Sequence, residues 1–310
     1  MSADDAEPGV VNGQPILDLS HLTSAGELAG ISRINRVATV IVPQALAAAY
    51  ATIPKFRVAN TIFVPDGANV RVHTGALVVG GDGLGSADDV LVVVGVLIVT
   101  SPVSGPVPTQ ISVVGSVLAP RGSEGTLGPA LSGGTGSVTY FRYVEGQEIK
   151  LFTGQVKLSG TSLANPAGSP ADVLLAAGQV IVTGEVSKIG FSQVVASGQL
   201  ILPARSRDIL EPRVQANGQV LWYQAAEPRI LLEDTEIGAD YFRLLDHPIS
   251  LVVLGDLTIT ENVPHELIRE KVTDIALLGD LTAPAELVPL LQVLTTEAFG
   301  SIRVADGSGS

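Results

Sequence analysis

His265-Glu266-Leu267-Ile268-Arg269 begins like HExxH, the helical motif in which two histidines one turn apart bind a zinc ion and the glutamate acts as a base. Arg269 stands where the second imidazole belongs. One imidazole does not hold catalytic zinc, so the segment reads as a solvated helix. Val78-Val79-Gly80-Gly81-Asp82-Gly83-Leu84-Gly85-Ser86 has the look of a strand and glycine loop at a dinucleotide site. Such a site needs a helix N-terminus at the pyrophosphate directly after the loop, and Asp89-Val90-Leu91-Val92 starts another strand instead. Asp82, Asp88 and Asp89 form the one acidic group in a glycine-rich turn with a calcium-like pattern. Gly85 replaces a ligand there and the pattern occurs once, so a polar loop without metal is expected. The four histidines, His21, His73, His247 and His265, lie at no spacing that suggests a metal site or a relay. GxSxG and GxxxxGK[ST] are both missing. The expectation is a protein without catalytic residues, metal or cofactor.

Charge narrows the partners. The chain of 310 residues carries 18 Lys and Arg against 31 Asp and Glu, a net charge of −13. Binding to phosphates rests on clustered Lys and Arg, and the basic residues here are scattered, so nucleic acid is not an expected partner. Charged residues make up 16% of the chain and mean hydropathy is +0.40, against roughly 25% charged residues in ordinary domains. The longest apolar run, Val90 to Val99, is about half of the roughly 20 residues a membrane-spanning helix requires. No membrane insertion is expected. The acidic start, Met1 to Pro8, lacks the basic and apolar regions of a secretory leader, and there are no cysteines. A cytoplasmic protein is the expectation.

The elements that would carry these residues are marked by glycines. Gly75, Gly95, Gly115, Gly154, Gly178, Gly198, Gly218, Gly255, Gly279 and Gly300 follow one another at 20, 20, 39, 24, 20, 20, 37, 24 and 21 residues. Two and four positions after every one of them the residue is apolar, from Leu77 and Val79 to Ile302 and Val304. A period of two is a β-strand with one buried face. The residue directly after the glycine, as in Gln155, Gln179, Gln199 and Gln219, faces out. The glycine itself is expected where the chain turns into the strand. Repeats of this length mean a solenoid, whose units bury their apolar faces against their neighbours.

The order 20, 20, long, 24 occurs twice, with Gly75 to Gly178 at 103 residues and Gly178 to Gly279 at 101. This predicts an internal duplication of about 102 residues, with Gly136 and Gly238 as hidden landmarks in the long intervals. Tyr140-Phe141-Arg142 and Tyr241-Phe242-Arg243, 101 apart, fit the same scheme as core aromatics at a corner or as a duplicated contact point.

Both ends read differently. Pro264 to Val272, Pro284 to Gln292, and the stretch from Val37 through Pro43 and Leu46 to Thr61-Ile62-Phe63-Val64 combine a strand with proline-led helix formers. The expected fold is mainly β: a β-solenoid with ~20-residue rungs, flanked at both ends by strand-helix rungs like those of leucine-rich repeats. The expected segments are an acidic tail and cap at 1–30, strand-helix rungs at 31–70, one continuous body at 71–255, further strand-helix rungs at 256–305, and a flexible linker at 306–310. The terminal rungs are read either as caps over the last sheet edges or as surfaces that dock head to tail.

The third position after each glycine is polar in four rungs, at Lys157, Thr258, Thr282 and Arg303. In the other six it is Val78, Ile98, Leu118, Ile181, Ile201 and Leu221, two aliphatic stripes on the face away from the core. Contiguous apolar patches usually mark an interface. These six are therefore the candidate self-association surface, the alternative being that the insert Ala119 to Val138 and its counterpart cover them within one chain.

The Gly-Asp-Leu strand starts at Gly255-Asp256-Leu257 and Gly279-Asp280-Leu281, in a cysteine-free chain, resemble those of bactofilins, bacterial cytoskeletal β-solenoids that polymerise end to end. The resemblance covers the rung pattern from about 70 to 260 and implies a self-assembling scaffold. Its partner is expected to be the chain itself, as a homo-oligomer or polymer. The rival expectation is a carbohydrate-acting or ligand-binding β-helix module.

Overall fold

The computed structural model describes residues 8–131 and 136–305. The linker read at 306–310, the start of the tail at 1–7 and part of the 119–138 insert lie outside them. Strand occupies 46% of the chain and helix 17%, so the protein is mainly β, and the paired strands run parallel. It divides into two compact units, one ending at Tyr143 and the other starting at Val144. The division falls inside the segment expected to be one body.

The first unit opens with strand pairs rather than single rungs. β1 (Val10–Asn12), β2 (Ile16–Asp18), β3 (Arg33–Asn35), β4 (Thr39–Pro43), β5 (Lys55–Phe56) and β6 (Asn60–Val64) sort into two three-stranded sheets, the odd strands in one and the even strands in the other. α1 (Ala25–Leu28) and α2 (Ala47–Thr52) connect successive pairs. The strand-helix part thus begins near residue 10, well before 31. It is followed by β7 (Asn69–Val79), β8 (Asp89–Val99), β9 (Gln110–Pro120) and β10 (Ser137–Phe141), one four-stranded sheet, with α3 (Glu124–Ala130) between the last two.

The second unit holds the same two parts in reverse order. β11 (Ile149–Ser159), β12 (Val173–Thr183), β13 (Gln193–Pro203) and β14 (Val214–Tyr223) form a four-stranded sheet, with α4 (Arg207–Leu210) before β14. Four strand pairs follow: β15 (Pro228–Leu231) and β16 (Thr235–Ile237), β17 (Ile249–Val253) and β18 (Leu257–Ile259), β19 (Val272–Leu277) and β20 (Leu281–Ala283), β21 (Thr295–Ala298) and β22 (Ile302–Val304). The odd strands make one sheet and the even strands another. The connecting helices are α5 (Ala239–Arg243), α6 (His265–Lys271) and α7 (Val288–Leu294).

The glycines of the long strands sit in mid-strand and not at a turn into it. Gly75, Gly95 and Gly115 are directly paired, as are Gly154, Gly178, Gly198 and Gly218. Gly198 has φ +129°, and a Cβ on it would lie 2.0 Å from the carbonyl oxygen of Gly178. Only glycine tolerates both the left-handed φ and this approach. Gly255, Gly279 and Gly300 are a second kind, standing in the turns that lead into β18, β20 and β22.

The expected phase holds on the core side. Leu97, Val99, Val117 and Ala119 lie in the core of the first four-stranded sheet, and Val180, Val182, Leu200 and Leu202 in that of the second. The expected duplication does not hold. The glycines group as Gly75, Gly95, Gly115, Gly136 and as Gly154, Gly178, Gly198, Gly218, so corresponding members are 79 to 83 positions apart rather than about 102. Gly136 does stack on Gly115. Gly238 precedes α5 instead, and Glu233 takes the place beneath Gly255. Tyr140-Phe141 ends a strand, whereas Tyr241-Phe242 lies in α5, so these triplets are not counterparts.

Candidate functional site

Five of the six stripe residues are buried: Ile98, Leu118, Ile201 and Leu221 at 0% exposure and Ile181 at 3%. In the second unit, Ile181, Ile201 and Leu221 pack with Tyr223 against Val252 of β17 and Ala276 of β19. The cover comes from the same unit, from the neighbouring strands β17 and β19 together with Ile230, which lies in the counterpart of the 119–138 insert. Tyr223 donates its hydroxyl to the carbonyl oxygen of Val182 at 2.8 Å within this layer, and burial pushes its phenol up to about 12. Only Val78, at 44% exposure, lies open. The expectation that the stripes face solvent is therefore corrected: an aliphatic face in these rungs is a second packing surface within the chain. The same use is made of β8 before its glycine, where Val90 and Val92 pack on Ile41 and Ile62.

The glutamines that follow the glycines face outward as expected and form a ladder. Gln155 donates its amide to Gln179, Gln179 to Gln199 at 2.7 Å, and Gln199 to Gln219 at 3.2 Å. The Gly-Asp motif has a related geometry in the strand pairs. The Asp234 carboxylate accepts the backbone N–H of Asp256 at 3.0 Å, Asp256 accepts that of Asp280 at 2.9 Å, and Asp280 accepts that of Ser301 at 2.9 Å. Hydrogen bonds from Ser301 hold Asp280 below the usual carboxylate range, with Arg303 adding to the effect. These carboxylates hold turns together.

Asp89 does similar work in the glycine-rich turn with the calcium-like pattern. Its carboxylate accepts the backbone N–H of Ser86 at 3.0 Å and the Asn69 amide at 2.8 Å, which lowers its pKa with a smaller contribution from Arg71. Asp82 and Asp88 are exposed. Among the described residues no three His, Cys, Asp or Glu gather as a metal group. The helix expected at His265 forms as α6. His265, Glu266 and Arg269 line an open depression of about 400 Å³ with Pro289, Leu290 and Val293 of α7.

Two features were missed in the sequence. Asp274 of β19 and Ser250 of β17 are buried side by side, Ser250 donating its hydroxyl to Asp274. Ser250 Oγ also accepts the N–H groups of Gln224 at 3.0 Å and Ala225 at 2.7 Å. Burial raises the Asp274 carboxyl above its ordinary range, against the bonds from Ser250 and Gln224. The available signal was a carboxylate inside the apolar strand Val272-Thr273-Asp274-Ile275-Ala276. The second feature is a groove of about 570 Å³ lined by Lys157, Glu185, Glu227 and Arg229. It gathers two cations and two carboxylates from segments far apart in sequence.

Among the described residues no helix is long and apolar enough to cross a membrane. Comparison with protein-family models, with curated proteins and with solved structures gave no match for this chain.

Proposed function

We propose that the chain is a non-catalytic structural β-solenoid whose copies assemble through their terminal strand pairs. The observation that carries this reading is the C-terminal edge. β21 and β22 each have a strand partner on one side only among the described residues, while Val293, Phe299 and Val304 near them are 81%, 51% and 53% exposed. Unpaired edge strands with apolar neighbours are templates for a further strand, and β1 and β2 are likewise edge strands of the two three-stranded sheets of the first unit. The polar side chains support the reading as well, since Asp89, Asp256, Asp274 and Asp280 bind backbone N–H groups of their own chain. The rung pattern agrees with the resemblance to bactofilins, and the paired strands with helices depart from it. A cytoplasmic location belongs to the same reading and rests on the cysteine-free composition.

The test is the mass of the purified protein in solution, together with negative-stain images. Assemblies larger than the 31.9 kDa protomer are expected, and replacing Phe299 and Val304 with lysine should dissociate them without changing circular dichroism. A uniform monomer overturns the reading. The groove of Lys157, Glu185, Glu227 and Arg229 favours a second reading, a monomeric ligand-binding module for a charged small molecule or glycan. A monomer that loses glycan binding on Lys157→Glu would favour it.

A further inference from the structure

The first strand of each of the two sheets with mid-strand glycines turns a cation toward the core side, four positions before its glycine: Arg71 in β7 and Lys150 in β11. Both are tied to the next turn. Arg71 donates to the Leu84 carbonyl oxygen and stands 3.7 Å from Asp89. Lys150 donates to Asn165 at 2.6 Å, and Asn165 in turn donates to Asp172 at 3.0 Å. Two residues further on the sheets differ. Phe152 packs its ring against the core of the second sheet, whereas the corresponding residue of the first is His73. At that place the first unit has a half-open pocket of about 170 Å³, with Leu77, Val79, Leu84 and Leu91 as walls and Arg71 and His73 among its lining.

A cavity of roughly 150 Å³ with aliphatic and aromatic walls is enough to hold benzene. The first unit therefore has space for one ring at the place where the second unit supplies a ring of its own. Arg71 keeps N–H donors beyond those used on Leu84 and Asp89, since a guanidinium carries five, and its side chain is 44% exposed. His73 spends its Nε2–H on the Ala76 carbonyl oxygen at 3.3 Å, which leaves an acceptor nitrogen on the ring and makes Arg71 the anion-binding group of the pocket. Mostly apolar walls with a few convergent polar groups are the general form of a small-molecule site.

We infer that this pocket binds a small carboxylic acid bearing a single ring, the ring among Leu77, Val79, Leu84 and Leu91 beside His73 and the carboxylate at Arg71.

The probe is benzoate, titrated into the full chain and followed by backbone and methyl NMR. Saturable shifts are expected at Leu77, Leu84, Leu91 and the His73 ring. Benzyl alcohol, of the same size and uncharged, should bind at least tenfold more weakly. His73→Phe supplies the ring from within, so it should abolish benzoate binding and raise Tm. Arg71→Lys copies the second unit and should fold and retain weakened binding. If His73→Phe does not fold, Leu77→Phe fills the same space from the other side of Gly75 on the same strand, with the same expected loss. No saturable shift at these residues, equal binding of benzyl alcohol, or unchanged benzoate binding in the filled variant overturns the inference.

Discussion

Val186 donates its backbone N–H to the Ser206 hydroxyl oxygen at 2.8 Å, with both residues buried. Eighty-three positions earlier Val103 donates to Ser123 at 3.1 Å. The helices that follow bury Leu210 and Leu127 equally, at 0% exposure. The turns before β12 and β8 match as well, with Ser169 donating to Asp172 and Ser86 to Asp89. If the two four-stranded blocks are copies, the same loss should follow in each. Ser206→Ala and Ser123→Ala each leave a buried N–H without its acceptor, at a cost of about 1–3 kcal/mol. Urea unfolding of the single variants should give similar losses. A neutral result at one serine would break the equivalence.

Asp274 gives a pH dependence of definite sign. Its carboxyl pKa is raised in the folded chain, first by burial, so the folded state holds the proton more tightly than the unfolded state. The stability linked to this group is fully present below the unfolded value of about 3.9 and is lost as pH rises through the raised folded value. Asp172 and Asp89 act in the opposite sense. Hydrogen bonds from Asn165 and Ser86, respectively, lower their pKa values, so what they contribute is lost on acidification. Asp274→Asn isolates the first effect. As pH rises from about 4 the wild type should lose stability relative to the variant, read from urea midpoints. Parallel profiles would show that the Asp274 carboxyl is not raised in the folded chain.

The mid-strand glycines should separate by position in the stack. At Gly154, on the edge strand β11, φ is +78° and nothing lies within 4 Å of an added Cβ. Alanine there costs only the left-handed strain, about 1–2 kcal/mol. At Gly198 the added carbon meets the Gly178 carbonyl, and the backbone of two strands must move. Gly198→Ala should therefore cost about 4 kcal/mol or more. Equal thermal shifts in the two variants would show that close stacking is not the reason for glycine.

The inward phase of the long strands was legible because the residues two and four positions after the glycine, such as Leu97 and Leu200, are apolar whichever rung is read. The grouping of rungs was not legible. Gly255 and Gly279 precede strands of three residues, Gly178 and Gly198 lie inside strands of eleven, and the spacing of about 20 residues is shared by both kinds. Strand residues before the glycines were also missed as a packing surface. Val90 and Val92 on the outer face and Leu91 and Val93 on the core face read as one apolar run, with no alternation to show two buried sides. His73 lies at no spacing that suggests a metal site or a relay, and its meaning emerges only from its place two residues before Gly75, the place that Phe152 takes before Gly154. The stripes were legible as an anomaly, since apolar residues stand where Lys157 and Arg303 stand elsewhere. Their cover was not, because Val252 and Ala276 lie in strands whose own outer face gives no pattern of its own.

That cover gives the last prediction. Ile201 is fully buried among Ile181, Leu221 and Val252, so truncation removes aliphatic contacts and leaves a void. Ile201→Ala should cost about 2–5 kcal/mol. Val78, at the equivalent position of β7 but 44% exposed, should tolerate alanine within about 0.5 kcal/mol. Ile201→Lys places an unpaired charge between two sheets that exclude water, and the second unit should then fail to fold. The measurement is urea unfolding of each variant together with its mass in solution. The two roles of the stripe part company at the lysine variant. A buried packing layer loses the fold, and assembly disappears only as a consequence. An exposed docking surface loses assembly and keeps its circular dichroism. An Ile201→Lys protein that folds as a stable monomer would mean that β17 and β19 do not cover β13 in solution, and the stripe would again be a surface open to a second copy.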